Sequence, residues 1–385
     1  ECEDKTNVSV YIGKLTDEML SDIDAMVISP GIPTDAPFAL QVKEKGIPVL
    51  SEIELAYLYE KGTVVAITGT NGKTTTTTLV GEIMKAHNDK TFVVGNIGIP
   101  YTSLCDKTSA DSVTVAEISS FQLETIHTFK PHVSAILNIT PDHLNRHYTF
   151  ENYANCKLDI TKNQEITDYA IFNYDDPDTR ARANVSNVKR IFFSRTEMLE
   201  EGVIVVDGNI VVREAGRETV VLAVDDIKLL GVHNLENVLA AVAMTYYMGV
   251  PVETIKKVCC EFMGVEHRIE YVKTVDGVAY YNDSKGTNPD AAIKAVLAMT
   301  QKTYLIGGGY DKKSTYDEWI LSFGDKVKCL VLIGETADAI SACAKSHGFT
   351  NVVRATDLEE AVKYCHANCK GRGSGSSVSC MCKLG

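Results

Sequence analysis

No apolar run in the 385 residues approaches the ~20 that a membrane helix needs. The longest, Val238–Met244, covers about two helical turns; others, such as Val203–Val206 and Leu330–Ile333, have the length of buried strands. No membrane partner is expected. Positive charge is also scarce: 38 Lys and Arg face 51 Asp and Glu, a formal net charge of −13. That balance excludes a general nucleic-acid surface. It leaves room for a nucleotide, whose phosphates need one well-placed loop. The 11 cysteines are scattered and odd in number, and no CxxC pair occurs. In a chain this long that reads as a reduced, cytoplasmic protein rather than a disulfide framework. Internal repeats are absent, as are low-complexity linkers before residue 370. The apolar fraction of 45% excludes disorder over most of the chain. The chain opens with Glu1-Cys2-Glu3, with neither a signal peptide nor an initiator Met, and its start is therefore expected to be missing.

What is present is an alternation of strand-like and helix-like stretches, with length for two or three domains. Strands are expected at Ala25–Ser29, Ile47–Leu50, Val64–Thr68, Phe92–Val94, Val113–Ile118 and Val133–Thr140. Most are short, nearly continuous apolar runs, the pattern of parallel strands buried on both faces. Helical periodicity lies between them, for example at Thr75–Lys85, so the fold class is α/β with crossover connections. The runs flanking Asp207-Gly208-Asn209 predict a hairpin over Val203–Val212. Helices follow at about His233–Met248, Val252–Phe262 and Pro289–Met299. Thereafter strands (Thr303–Ile306, Cys329–Ile333, Asn351–Arg354) alternate with helices (Tyr316–Phe323, Ala337–Lys345). Thr356 and Glu359 form a capping box that starts a last helix, to about His366. Another strand should come next. The sequence offers instead a Gly/Ser-rich stretch at 371–377 and then Val378–Cys382. That reads as a flexible tail or as a lost or altered end of the last domain.

The run Val64–Thr68 leads into Gly69-Thr70-Asn71-Gly72-Lys73-Thr74-Thr75 and then a helix. Glycines let successive N–H groups turn inward, and a helix N-terminus adds positive potential. A Lys supplies a point charge for the β- and γ-phosphates, and a Thr hydroxyl can ligate Mg²⁺. The strict GxxxxGK[ST] spacing is not met, because the first Gly would fall at Ile67. The order strand, loop, Gly-Lys-Thr, helix still predicts an ATP loop.

From here the sequence resembles the Mur ligases, which join an amino acid to a UDP-linked muramyl precursor. The resemblance is carried in order by Thr68–Thr75, Glu117-Ile118-Ser119-Ser120-Phe121-Gln122-Leu123 and Asn138-Ile139-Thr140-Pro141-Asp142-His143-Leu144. His233-Asn234-Leu235-Glu236-Asn237 and Asn282-Asp283-Ser284-Lys285-Gly286-Thr287-Asn288 complete it. With Ser29-Pro30-Gly31-Ile32-Pro33, these versions are most similar to the D-glutamate-adding members. The resemblance covers about residues 25–365.

It implies a three-domain architecture. A central P-loop-type, mostly parallel sheet (56–264) is flanked by a partial N-terminal Rossmann-like UDP-binding domain (1–55) and a C-terminal Rossmann-like α/β domain that binds the amino acid (265–385), with 371–385 an atypical tail. It implies ATP and two Mg²⁺ ions as cofactors, UDP-N-acetylmuramoyl-L-alanine and D-glutamate as substrates, and a cytoplasmic monomer. The residues Gly69, Thr70, Asn71, Gly72, Lys73, Thr74 and Thr75 would hold the phosphates. Asn234 and Asn237, spaced i, i+3 on one helix face, would read adenine, and Arg268 and Asp283 would touch the nucleotide. Taken alone, Asn234 also reads as a helix cap. Glu117 reads alone as a solvated charge; the resemblance makes it a Mg²⁺ ligand with Thr74. Likewise His143, on residue chemistry a surface histidine, becomes a ligand of the second Mg²⁺. Lys157, otherwise an exposed helical lysine, becomes a carbamylated lysine beside that metal. Asn96 and Thr287 would contact the UDP-sugar substrate, and Lys312 the D-glutamate carboxylate, unless it is only a loop lysine beside Lys313.

The implied reaction is ATP-dependent amide formation through an acyl phosphate, with Lys73, Lys157 and His143 as the catalytic set. Another member of the family, adding a different amino acid, is one alternative. A nucleotide-binding fragment impaired at both ends is the other: the UDP-binding start and the D-glutamate-binding end of the family find no match here.

Overall fold

The computed structural model describes residues 8–185, 187–286, 289–310, 315–369 and 378–382. Its strands form three separate sheets. The first is a parallel pair, β1 (Met26–Ile28) and β2 (Val49–Ser51), over a small core that includes Leu20, Ala39 and Val42. Pro48 sits immediately before β2, where a missing N–H costs no ladder bond.

The second sheet has nine strands: β3 (Thr63–Thr68), β4 (Thr91–Gly95), β5 (Val113–Glu117), β6 (Val133–Ile136), β7 (Tyr169–Asn173), β8 (Lys189–Ser194), β9 (Gly202–Val206), β10 (Asn209–Glu214) and β11 (Arg217–Ala223). Their order is β11-β10-β9-β8-β7-β6-β3-β5-β4. From β4 across to β9 all pairs are parallel; β9, β10 and β11 are antiparallel. The predicted hairpin is the β9–β10 turn, where Asp207 and Gly208 carry φ of 46° and 75°. Both are positive, as a type I′ turn requires.

The apolar runs are continuous because both faces of this sheet are covered. Along β3, Val65 and Ile67 enter one core with Leu79, Ile83 and Leu239 from helices Lys73–His87 and Val232–Tyr247. Val64 and Ala66 enter the opposite core with Ile53, Phe129 and Tyr153. None of these four strand residues is more than 3% exposed, and each large one contributes about 1.5–3 kcal/mol by burial.

The third sheet has β12 (Glu270–Val275), β13 (Val278–Asn282), β14 (Lys302–Gly309), β15 (Val327–Gly334), β16 (Val352–Arg354) and β17 (Val378–Cys382). Its order is β12-β13-β17-β14-β15-β16. Here the structure corrects the reading of 371–385 as a tail. Residues 378–382 form an interior strand, parallel to β13 on one side and β14 on the other. Without it the facing edges of two central strands would lose their ladder partners, and five residues of modest β propensity suffice when both edges wait for them. Residues 371–377 and 383–385 lie outside the described residues.

Two further boundaries differ from expectation. The last helix, Leu358–Cys369, is capped one residue later than predicted. The Asp357 carboxylate accepts the Glu360 N–H at 2.8 Å, and the Glu360 carboxylate accepts the Thr356 N–H at 2.6 Å. Strand β6 ends at Ile136 rather than Thr140, because Asn138 and Thr140 turn aside to hold the neighbouring loop.

Candidate active site

Strands β6, β3 and β5 are adjacent and parallel, so the segments that follow Ile136, Thr68 and Glu117 emerge side by side. Sheets of this kind hold ligands at that edge. The middle segment is Gly69–Gly72, leading to helix Lys73–His87. Gly72 has φ of 87°, and a Cβ there would lie 2.2 Å from the Asn237 Oδ1 atom, so only glycine fits. No side chain caps this helix, and the N–H groups of its first turn face the loop.

The loop is clasped from the β6 side. Asn138 Oδ1 accepts the Asn71 N–H at 2.8 Å, and Asn138 Nδ2 donates to the Asn71 carbonyl at 3.0 Å. The Thr70 N–H donates to the Asn138 carbonyl at 2.9 Å. Thr70 Oγ1 meets the Thr140 N–H, the Thr140 carbonyl and the Tyr153 hydroxyl at 3.0–3.1 Å. Sequence reasoning gave Asn138, Thr140 and Tyr153 no role. The signal was available, as polar residues placed straight after an apolar strand.

Two lysines converge on one carbonyl. Lys73 Nζ donates to Gly69 O and to Thr70 O, each at 2.9 Å. Lys157 Nζ donates to the same Gly69 O at 2.8 Å. Lys157, on helix Phe150–Leu158, is 2% exposed, with its Nζ 4.6 Å from the Tyr153 ring centre. Burial, and then the charge of Lys73, pushes its pKa well below the ordinary lysine value. Burial also lowers that of Lys73, against the opposing pull of Glu117. Lys157 is thus not the exposed helical lysine that residue-by-residue reading suggests. Its neighbour Cys156 is inert: burial pushes the thiol up to about 12.

Glu117 ends β5 and is 2% exposed. Its Oε1 accepts from Asn96 Nδ2 at 2.9 Å, and its buried Oε2 has no hydrogen-bond partner among the described residues. An orphaned buried carboxylate oxygen, on a group close enough to Lys73 to raise that lysine's pKa, is a hard-oxygen donor that fits Mg²⁺. Asn96 here grips Glu117 through both its side chain and its backbone N–H, which donates to the Glu117 carbonyl at 2.8 Å.

His143 stands in left-handed backbone (φ 52°) with half its side chain exposed. A run of rings joins it to the buried lysine: His143 to Phe121 (5.0 Å), Phe121 to His147 (5.3 Å), and His147 to Tyr153 (5.3 Å), which underlies Lys157. Asp142 is close enough to raise the pKa of both Lys73 and Lys157. Arg146 lies over Phe121 at 4.9 Å, pairs with Glu124 at 2.7 Å and donates to Ile32 O at 3.0 Å. That last bond ties the Ser29–Pro33 motif to the central sheet.

The third body reaches the loop through Arg268, whose Nη2 donates to Thr74 Oγ1 at 3.4 Å while its buried Nε has no partner among the described residues. Asn234 and Asn237 do share a face: Asn237 Nδ2 donates to Asn234 Oδ1 at 3.0 Å. Asn234 does not cap its helix. It donates to Leu230 O at 2.7 Å, and Gly231 is the cap residue. Asp283 is buried and accepts the Ile269 N–H at 3.1 Å. Asn71, Gly72, Asn237, Arg268 and Asp283 line one cleft between the bodies, about 50 Å³ in volume. Thr287 and Lys312 lie outside the described residues.

Residues 67–245 match the family model described as Mur ligase middle domain, and residues 267–376 that of the Mur ligase glutamate ligase domain. The chain belongs to the Mur ligase family. Among its relatives is the UDP-N-acetylmuramoylalanine–D-glutamate ligase of Lachnoclostridium phytofermentans, 52% identical over 92% of this chain and 78% of that protein. The Lachnospira eligens protein of the same name is 53% identical over 93% and 80%. Among solved Mur ligase structures, MurF from Acinetobacter baumannii superposes with a TM-score of 0.65 at 19% identity, over 96% of this chain and 89% of that one. MurF from Thermotoga maritima, solved in complex with ADP, gives 0.64 at 17% identity, over 95% and 92%. At these identities the two structures establish the Mur ligase fold alone.

Proposed function

We propose that this chain is an ATP-dependent acid–D-amino-acid ligase of peptidoglycan precursor synthesis, joining D-glutamate to UDP-N-acetylmuramoyl-L-alanine. The substrates come from the names of relatives that share about half its residues over some four fifths of their length. The observation that carries the reading is the convergence of Lys73, Lys157, Glu117 and Arg268 around the Gly69–Thr74 loop. The free cysteines among the described residues suit a cytoplasmic setting.

The chemistry follows from charge. The lactoyl-alanine carboxylate is a poor electrophile until it takes the γ-phosphoryl group of ATP and becomes an acyl phosphate. The amine of D-glutamate then attacks the carbonyl carbon, phosphate leaves, and an amide remains. The first step brings anions together. Lys73, held on the loop carbonyls, and Arg268, bonded to Thr74, offset that charge. Glu117 and Thr74 would hold one Mg²⁺, His143 and Lys157 a second; when bound, Mg²⁺ neutralises phosphate oxygens and orients them. Only the unprotonated amine adds CO₂, giving a carbamate and a proton, and burial lowers the Lys157 pKa in the direction that favours that form. Lys157 is therefore suited to become an anionic ligand. Asn234, Asn237 and Asp283 would take the adenosine end, Asn96 and Thr287 the UDP-sugar, and Lys312 the D-glutamate carboxylate. The cleft of about 50 Å³ is well under the roughly 300–1,000 Å³ of ligand sites. ATP thus enters when the third body swings away, and reclosure excludes water from the acyl phosphate.

Phosphate release assayed against a panel of amino acids tests the proposal. Release that depends on D-glutamate and on the UDP-linked acceptor is expected. Equal release with and without D-glutamate would overturn it, and preference for another amino acid would assign a different member of the family.

A further inference from the structure

We infer that Asp317, Cys343 and His347 form a binding site for a divalent cation of the zinc class, separate from the phosphate loop. Asp317 is the first residue of helix Asp317–Leu321. Cys343 lies in helix Ala337–Ser346, and His347 is the residue that ends that helix, its N–H donating to the Cys343 carbonyl at 3.2 Å. The i, i+4 spacing puts the thiol and the imidazole on one face, and that face looks onto the Asp317 carboxylate. His347 Nε2 lies 2.8 Å from Asp317 Oδ1. One donor atom from each of the three residues falls within 4.8 Å of the other two.

Ligand bonds of about 2.0–2.3 Å in a tetrahedron put donor atoms roughly 3.5 Å apart, so small side-chain rotations close this triad on an ion. The scaffold is firm, because Trp319 and Ile320 of the first helix share a buried core with Ile340 and Ala344 of the second. The donor chemistry selects the ion. One sulfur, one imidazole nitrogen and one carboxylate oxygen suit Zn²⁺ or Co²⁺, with water in the fourth position, and do not suit Mg²⁺ or Ca²⁺. The ion has access from solvent, because Asp317 is exposed and His347 partly so. The Cys343 thiol keeps its proton in the free protein, as burial and the Asp317 carboxylate both raise its pKa; Zn²⁺ displaces that proton as the thiolate–metal bond forms. None of the three residues is part of the loop chemistry above. A bound ion would staple the start of one helix to the end of the other.

The test uses the full chain, stripped with chelator and then titrated with Zn²⁺ by calorimetry, and with Co²⁺ by absorption. The site predicts one high-affinity equivalent per chain and a thiolate-to-cobalt charge-transfer band. C343S abolishes the band, and H347A and D317N each weaken Zn²⁺ binding at least tenfold, with far-ultraviolet circular dichroism unchanged. Wild-type affinity no better than that of H347A or D317N would overturn the inference. So would a charge-transfer band that survives in C343S, since the thiolate would then belong to another cysteine.

Discussion

Replacing Asn138 with alanine separates the loop clasp from the chemistry it supports. The side chain makes two hydrogen bonds to Asn71, at 2.8 and 3.0 Å. Each such bond is worth about 0.5–1.5 kcal/mol net, so N138A removes about 1–3 kcal/mol from the loop. The Thr70 N–H to Asn138 carbonyl bond survives, because it is backbone to backbone. The Thr70 hydroxyl contacts with Thr140 and Tyr153 survive as well. The loss therefore falls on the conformation of residues 70–72 rather than on the fold of the nine-stranded sheet. At 1.4 kcal/mol per tenfold, ATP affinity should drop by about fivefold to a hundredfold, with little change in melting temperature. Calorimetric titration with a non-hydrolysable ATP analogue, alongside a thermal melt, reads both quantities. N138D should be worse than N138A, because it keeps the acceptor but sets an anion beside the phosphates. An N138A affinity within twofold of wild type, with an unchanged melt, would refute the claim that this clasp shapes the phosphate loop.

E117Q keeps an acceptor for Asn96 but removes the charge, so Mg²⁺ dependence measured by phosphate release should shift at least about tenfold upward, with stability unchanged. It should also lower the Lys73 pKa further, since Glu117 is the larger of the two charges, with Asp142, that oppose burial there. K157M swaps a buried amine for an apolar chain of similar length; ligase turnover should fall by about a hundredfold while the melting temperature holds or rises, because burying the amine carries a desolvation cost. Glu54 supplies a pH test. Burial raises its pKa, but bonds from Thr128 Oγ1 and from the His127, Thr128 and Phe129 N–H groups outweigh it, and the carboxyl titrates below its ordinary 4.5. Its contribution is complete above pH 4.5 and is lost as pH falls through the depressed native value. E54Q should therefore be less stable than wild type at pH 7, by about 1.5–3 kcal/mol, and the gap should narrow under acid in chemical denaturation.

The alternation of buried strands was legible, because two-sided burial writes an unbroken apolar run, as at Val64–Ile67. The Asp207-Gly208 hairpin was legible because its turn needs two positive φ values. The phosphate loop was legible for the same local reason at Gly72. What stayed hidden depends on distant partners. Lys157 reads as an exposed helical lysine until helix Phe150–Leu158 is laid against Gly69 O and the Tyr153 ring. Phe121 and His147 look like ordinary helix residues until their rings stack between His143 and Tyr153. Asn138 lies 67 residues from the Asn71 that it clasps. Strand β17 was missed because its place is set by the two strand edges that flank it, not by its own composition.

The proposed ligase chemistry requires that the Gly69–Gly72 loop, with Lys73 and Lys157 converging on it, activates a UDP-linked acceptor for attack by D-glutamate. Phosphate release measured on the purified chain with ATP, Mg²⁺ and UDP-N-acetylmuramoyl-L-alanine tests it most directly, with D-glutamate present or withheld. The account predicts release only when both substrates are supplied, with one phosphate per amide formed and near-complete loss in K73A. Release that ignores D-glutamate, or that survives K73A undiminished, would contradict it.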